Sequence, residues 1–265
     1  MRSRRTAATI AAIAAATLLL GGCGSSVSGE AAPSRSVTEK AATVTGVAPL
    51  VTGPGPVGQL QDVTGQGVIR RSPRDSARWA PEPEPGGLVS TANDGCTLGP
   101  AVTRAGKAGF LIAGHCVKDG GTQWARVNAA ADSPLPLGPA VEGDTVTDSA
   151  VIWTDTAADD TRIAGKWPVR GVLSVEQLSA VPAGAPICVN AAISGVHCGG
   201  MIAVDAAGLA MLAPAKQGDS GSAVFVVDSR GDAWIAGVLK DGEGSSLATP
   251  IATILGQLRA SVITS

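Results

Sequence analysis

Ser220 stands in "KQGDSGSAVF", residues 216–225, with a glycine and an aspartate before it, a glycine after it and an apolar run behind. A serine hydroxyl is a weak nucleophile. It attacks a carbonyl only with a general base in hydrogen-bond reach, and that base needs a partner to orient it. The attack also needs N–H donors aimed at the developing oxyanion, and glycines let the backbone approach closely enough to supply them. The chain has two histidines. His115, in "FLIAGHCV", closes an apolar run beside a small residue and a cysteine, which makes it the candidate base.

Such residues must be held by ordered elements. Short apolar runs bounded by Gly, Pro, Asp or Asn recur: "GFLIAG" at 109–114, "SAVIW" at 149–153, "GMIAV" at 200–204, "LAML" at 209–212, "AVFVV" at 223–227 and "WIAGVL" at 234–239. Many short strands with turn signals between them predict an all-β sandwich or barrel. One helix is predicted after Pro250, where Ile251, Ile254, Leu255, Leu258 and Val262 share a face at helical spacing. Hydrophobic residues make up 45% of the chain but aromatics only 3%, so small aliphatic side chains must fill the core.

A formal net charge of −2 supplies no bulk field for nucleic acid, and no nucleic-acid partner is expected. Arg70, Arg71, Arg74 and Arg78 lie among prolines without aromatic neighbours and read as a solvated linker or processing site.

Residues 1–22 read as a signal peptide. Arg2, Arg4 and Arg5 precede an apolar run from Thr6 to Leu20, too short for the roughly 20 residues that span a bilayer. "LGGC", Leu20 to Cys23, resembles the bacterial lipobox, which implies a lipid anchor on Cys23; the alternative is an ordinary cleaved signal whose cysteine is incidental. Residues 23–87, with "TGPGPVG" and "APEPEPGG", read as a Gly/Pro/Ala-rich tether or pro-segment, largely disordered. Residues 88–265 are then one domain. Setting Cys23 aside leaves Cys96, Cys116, Cys188 and Cys198, an even number that suggests two disulfides whose pairing stays open at this point. No C-x-x-C occurs and the histidines are far apart, so neither a metal nor a cofactor is expected.

"AGHC" at 113–116 followed by "GDSG" at 218–221 resembles the chymotrypsin-fold serine proteases, nearest the bacterial branch of streptogrisins and α-lytic-type enzymes. The resemblance covers residues 90–260 and implies two six-stranded antiparallel β-barrels with a C-terminal helix. It also implies an aspartate opening an apolar strand. "TDSAVIW" supplies Asp148, with Asp144 and Asp155 as neighbours that could be confused with it. The order His115, Asp148, Ser220 is that of this fold, whereas α/β-hydrolases run Ser, Asp, His. Their G-x-S-x-G elbow fails here, because Ser222 occupies its last glycine position. The resemblance further implies disulfides Cys96–Cys116 and Cys188–Cys198, an oxyanion hole from the N–H groups of Gly218 and Ser220, and no catalytic duty for the loop residue His197.

Three departures stand out. Ser222 replaces the glycine of the usual "GDSGG", a substitution that strains the chain only if its φ is positive. Val189 stands where the bacterial branch has an arginine that meets the aspartate before the nucleophile, so Asp219 lacks its expected partner unless Arg104 or a cleaved N-terminus replaces it. Lys240, or its neighbour, stands where a serine normally lines the cleft, and a lysine close to Asp148 would compete for its carboxylate. By family spacing the primary pocket has its base near Pro214, with Ala215, Lys216 and Lys240 about it and no acidic residue. This predicts a small or apolar substrate side chain, or an acidic one drawn by a lysine.

The function expected is an exported serine endopeptidase, monomeric, acting on protein or peptide and held at the membrane through Cys23. The alternative is a protease-like lipoprotein with impaired or lost activity that serves as a binding or structural module.

Overall fold

The computed structural model describes residues 53–67, 82–90, 95–117, 120–125 and 134–265. The signal segment, Cys23 and the arginine cluster at 70–78 lie outside the described residues. Besides the C-terminal strand Ser261–Val262, which pairs beside β3, seven strands build the first sheet: β1 (Leu88–Ser90), β2 (Gly95–Thr97), β3 (Ala101–Arg104), β4 (Lys107–Ala113), β5 (Thr122–Ala125), β6 (Leu135–Asp144) and β7 (Ser149–Trp153). They neighbour one another in the order β3-β4-β7-β6-β5-β1-β2. β2 and β3 are two halves of one bent run. Gly99 donates to the Leu111 carbonyl and Leu111 to that of Pro100, so the run passes from β1 onto β4 and closes the sheet into a barrel.

Thereafter come β8 (Arg162–Ile163), β9 (Trp167–Val172), α1 (Val175–Ser179), β10 (Pro186–Ala191), β11 (Gly195–Val204), β12 (Leu209–Met211), β13 (Ala223–Val227), β14 (Ala233–Glu243), β15 (Ser245–Pro250), α2 (Ile251–Leu258) and β16 (Ser261–Val262). The order β13-β10-β11-β12-β15-β14 closes on itself because β14 pairs back to β13, a six-stranded antiparallel barrel. The chain is all-β with a C-terminal helix, as expected.

The apolar runs are continuous rather than alternating because both faces of their strands are covered. On β4, Phe110 and Ile112 fill the first barrel. Leu111, between them, joins Val151, Phe225 and Val238 in a layer containing residues of both barrels. On β13, Val224 and Val226 fill the second barrel while Phe225 and Val227 join that same layer. α2 lays Ile251, Ile254, Leu255 and Leu258 onto it. The helix stops short of the expected Val262. Arg259 takes a left-handed φ of 51°, and Val262 pairs instead with Val102 in β16–β3. Among the described residues no helix is long and apolar enough to cross a membrane.

Within residues 23–87, expected to be largely disordered, the structure describes two parts. Residues 53–67 form a strap on the second barrel, anchored by Val63, which is 1% exposed. Gln61 donates to the Val227 carbonyl, and the Asp228 carboxylate accepts from Val57 N–H at 3.1 Å. Residues 83, 85, 86 and 87 are buried, with Gly86 N–H donating to the Leu98 carbonyl, Leu98 N–H donating to the Gly87 carbonyl and Asn190 donating to the Pro85 carbonyl. Composition concealed this, because one buried valine and a few backbone bonds suffice to hold a polar segment.

Candidate active site

β4 and β7 are antiparallel neighbours, and Ala113 pairs with Ser149 at their ends. That register brings together two residues 33 apart in sequence. His115 sits in the 3-10 turn Gly114–Val117 that leaves β4, and Asp148 in the tight turn entering β7. Asp148 has a φ of 45°, a left-handed conformation that aspartate tolerates. Its carboxylate grips His115 twice: Oδ2 lies 2.7 Å from the imidazole Nδ1, and Oδ1 accepts the His115 backbone N–H at 2.7 Å. The turn is pinned from the second barrel. Thr249 on β15 donates to the Thr147 carbonyl at 2.7 Å, and Thr147 donates to Gln257 on α2 at 2.8 Å.

Ser220 comes from the second barrel, on the loop before β13, half-buried. Its carbonyl accepts Thr97 N–H at 2.8 Å. Gly221 has a φ of +94°, and a Cβ there would lie 2.4 Å from the Thr97 carbonyl oxygen and 3.2 Å from Ala113 N. Only glycine fits so close to the end of β4, where His115 begins. No hydrogen bond joins Ser220 to His115 among the described residues; in hydrolases that contact tightens when substrate settles on the pair. The N–H groups of Gly218 and Ser220 donate to no acceptor of the described chain. Thr97 Oγ1 donates to the Gly218 carbonyl at 2.8 Å and accepts Ala192 N–H at 3.1 Å.

Asp219 is 0% exposed, and the cation expected beside it is absent among the described residues. Val189 points into the second barrel with Ile187 and Ala191, where a guanidinium could not be accommodated. Arg104 is engaged elsewhere, its guanidinium 4.6 Å above the Trp153 ring and donating to the Leu258 carbonyl. Four hydrogen bonds serve instead. Ile193 and Ser194 N–H reach Oδ1 at 3.2 and 3.1 Å, and Lys216 N–H and the Ser194 hydroxyl reach Oδ2 at 2.8 and 2.6 Å. The missing partner is a hairpin tip.

The other departures are also resolved. Ser222 is not among the residues with positive φ, and its buried hydroxyl donates to the Asp219 carbonyl at 2.5 Å. Lys240 is the extra residue where β14 shifts register between Leu239 and Asp241, and it makes no ion pair with Asp148. A pocket of about 490 Å³ opens beside Ser220, floored by Ala215, Leu239 and Gly242 and rimmed by exposed Lys216 and Asp241. Pro214 and Lys240 do not line it. Asp241 does, which corrects the expectation of no acidic residue there: the bulge at Lys240 turns its neighbour to the pocket.

Sulfur–sulfur bonds join Cys96 to Cys116 and Cys188 to Cys198, the latter pair directly opposite on β10 and β11. Cys96, Cys116 and a His115 ring nitrogen lie within 4.8 Å of one another, but disulfide sulfurs lack the thiolate charge that binds metals. His197 places Nδ1 3.2 Å from the Gly195 carbonyl, apart from the hydrogen bonds between Asp148 and His115. Sequence reasoning missed Thr97, Ser194 and Asp241. Only the "ISG" turn midway between Cys188 and Cys198 hinted at a hairpin tip.

Among solved structures the chain is similar to Thermobifida fusca protease A, at 20% identity and a TM-score of 0.52 over 69% of this chain and 100% of that one. It is similar to Cellulomonas bogoriensis chymotrypsin, at 22% and 0.51 over 69% and 100%. It is also similar to an α-lytic protease homologue, N4, at 20% and 0.50 over 67% and 97%. No family model matches the chain, and no curated protein resembles it in sequence. These likenesses establish the fold, that of the chymotrypsin-like serine proteases.

Proposed function

We propose that the chain is a serine endopeptidase. The observation that carries this reading is the double grip of Asp148 on His115, at the end of the strand that the Ser220 loop abuts. With Nδ1–H facing the carboxylate, Nε2 is left to take the Ser220 proton as Oγ attacks a peptide carbonyl. His115 then delivers that proton to the leaving amine, and water hydrolyses the acyl-enzyme by the same route. Asp148 fixes the tautomer and stabilises the imidazolium. The Gly218 and Ser220 N–H groups receive the oxyanion, where one lost donor costs about 2.7–4 kcal/mol.

Two disulfides suit an oxidising, extracytoplasmic location. Residues 1–23 direct export, and acylation of Cys23 anchors the monomer at the membrane. Among the departures behind the inactive-module alternative, the unpartnered Asp219 favoured it most, and the four bonds to that carboxylate weigh against it. A fluorophosphonate probe is expected to label the parent chain and not Ser220→Ala. Equal labelling of the two overturns the assignment.

A further inference from the structure

One stretch of β11 has an edge that no strand among the described residues covers. β10 pairs along it from Gly195 to Gly200, but β12 begins to pair only at Met201. The strap fills that gap. Gly65 N–H donates to the Val196 carbonyl at 2.8 Å, Cys198 N–H donates to Thr64 Oγ1 at 3.0 Å, and Val63 N–H reaches Cys198 Sγ at 3.2 Å. The Thr64 hydroxyl proton goes to Asp62 Oδ1 at 2.7 Å, so its lone pairs are left for Cys198. Val63 is sealed in the core cluster that holds Trp167, Val196 and Phe225.

The stretch so held is two residues from the hairpin tip. Val196 follows Ser194 and Gly195, and Ser194 with Ile193 supplies three of the four hydrogen bonds on Asp219. Ile193 also limits Gly218: a Cβ on that glycine, at φ +95°, would lie 2.8 Å from Ile193 Cγ1. Contacts therefore run without a gap from Gly65 through Val196 and Ser194 to Asp219 and the two oxyanion donors beside it. Donors act at full strength only when held in place before the charge develops.

We infer that residues 62–65 are a clamp that positions the oxyanion loop through the hairpin tip, with Ser194 as the positioning residue at its far end. This rests on the peptidase reading above. The segment ahead of the barrels is then a working part of the enzyme and not a spacer.

The test uses the full chain and two readouts, hydrogen exchange and steady-state kinetics on a peptide ester. Val63→Asp puts a charge in the anchor, and Thr64→Val removes the hydroxyl without touching the core. Faster exchange in 53–67 is expected to be accompanied by faster exchange in 191–196 and 216–221. kcat is expected to fall about tenfold with KM within about twofold, a fraction of the loss from deleting a donor outright. Ser194→Ala is expected to do the same, and Ser194→Thr to restore kcat. Faster exchange confined to the strap, with kcat unchanged, overturns the inference. Should Val63→Asp not fold, Thr64→Val decides alone. A parent chain that never labels with fluorophosphonate sinks the peptidase reading, while the exchange pattern still judges the clamp.

Discussion

Ser194 gives its hydroxyl proton to Asp219 at 2.6 Å, where the resemblance led us to expect a cation. A carboxylate can accept about four hydrogen bonds, and Asp219 accepts two on each oxygen. Burial of a charge is tolerable when its lone pairs are filled in this way. Neutral donors thus do what an arginine or a terminal ammonium was expected to do.

Placing at position 189 the arginine that the resembling enzymes carry is therefore expected to harm the protein. Val189→Arg would bury a guanidinium among Ile187, Ala191 and Val224 with Asp219 already satisfied. A loss of about 3–5 kcal/mol is expected, the scale of an uncompensated buried charge. Denaturant unfolding of the variant measures it, and an unchanged midpoint contradicts it.

Asp148→Asn keeps the shape of the turn but replaces one acceptor with a donor. The amide can accept from the His115 backbone N–H or from Nδ1–H, but not from both as the carboxylate does. The wrong tautomer is then favoured, and kcat is expected to fall about 10⁴-fold with little change in KM. Steady-state kinetics on a peptide ester reads both constants.

Acid is expected to loosen the strap before the barrels. Burial pushes the Asp228 carboxyl up, but hydrogen bonds from Val57, Asp232 and Arg230 N–H and from the Trp234 indole outweigh it and hold the group below its ordinary 3.8. Asp62 is held below 3.8 by the Thr64 hydroxyl and backbone N–H. Both groups thus bind protons less readily in the folded chain. Their contribution is complete above about pH 5 and is lost as pH falls through 3.8 and below. Hydrogen-exchange protection of 53–67, corrected for intrinsic rates, is expected to drop there while that of β13 persists.

Lys216 and Asp241 place opposite charges on the pocket rim. Lys216→Ala leaves the carboxylate alone, and cleavage is expected to shift toward basic over acidic side chains. Exposed charges contribute about 0.2–1 kcal/mol, so the shift is about 1.4- to fivefold in relative kcat/KM. A peptide-library profile of parent and variant reads it directly.

Much of this was legible along the chain. "GFLIAG" and "AVFVV" read as strands because a strand covered on both faces is apolar throughout, and their bounding glycines and polar residues mark the turns. His115, Asp148 and Ser220 stood out through their immediate neighbours. The strap did not, since Val63 is its one buried valine, set among glycines, prolines and polar residues, and its value lies wholly in what it meets. β2 and β3 escape the pattern of apolar runs for a related reason: each is short, and they become one element only by bending from β1 to β4.

The amino-acid order alone determined which side chains could do chemistry and which runs had to be buried, because both depend on residue type and local spacing. What it left open was every relationship set by distance across the fold. That Ser194 meets Asp219, that Arg104 is engaged by Trp153, and that Asp241 rather than Lys240 faces the pocket were decided by strand register, one bulge and one hairpin tip. A change of one position in a strand reverses where a side chain points, and such registers are chosen by the packing of the whole barrel and not by any one segment.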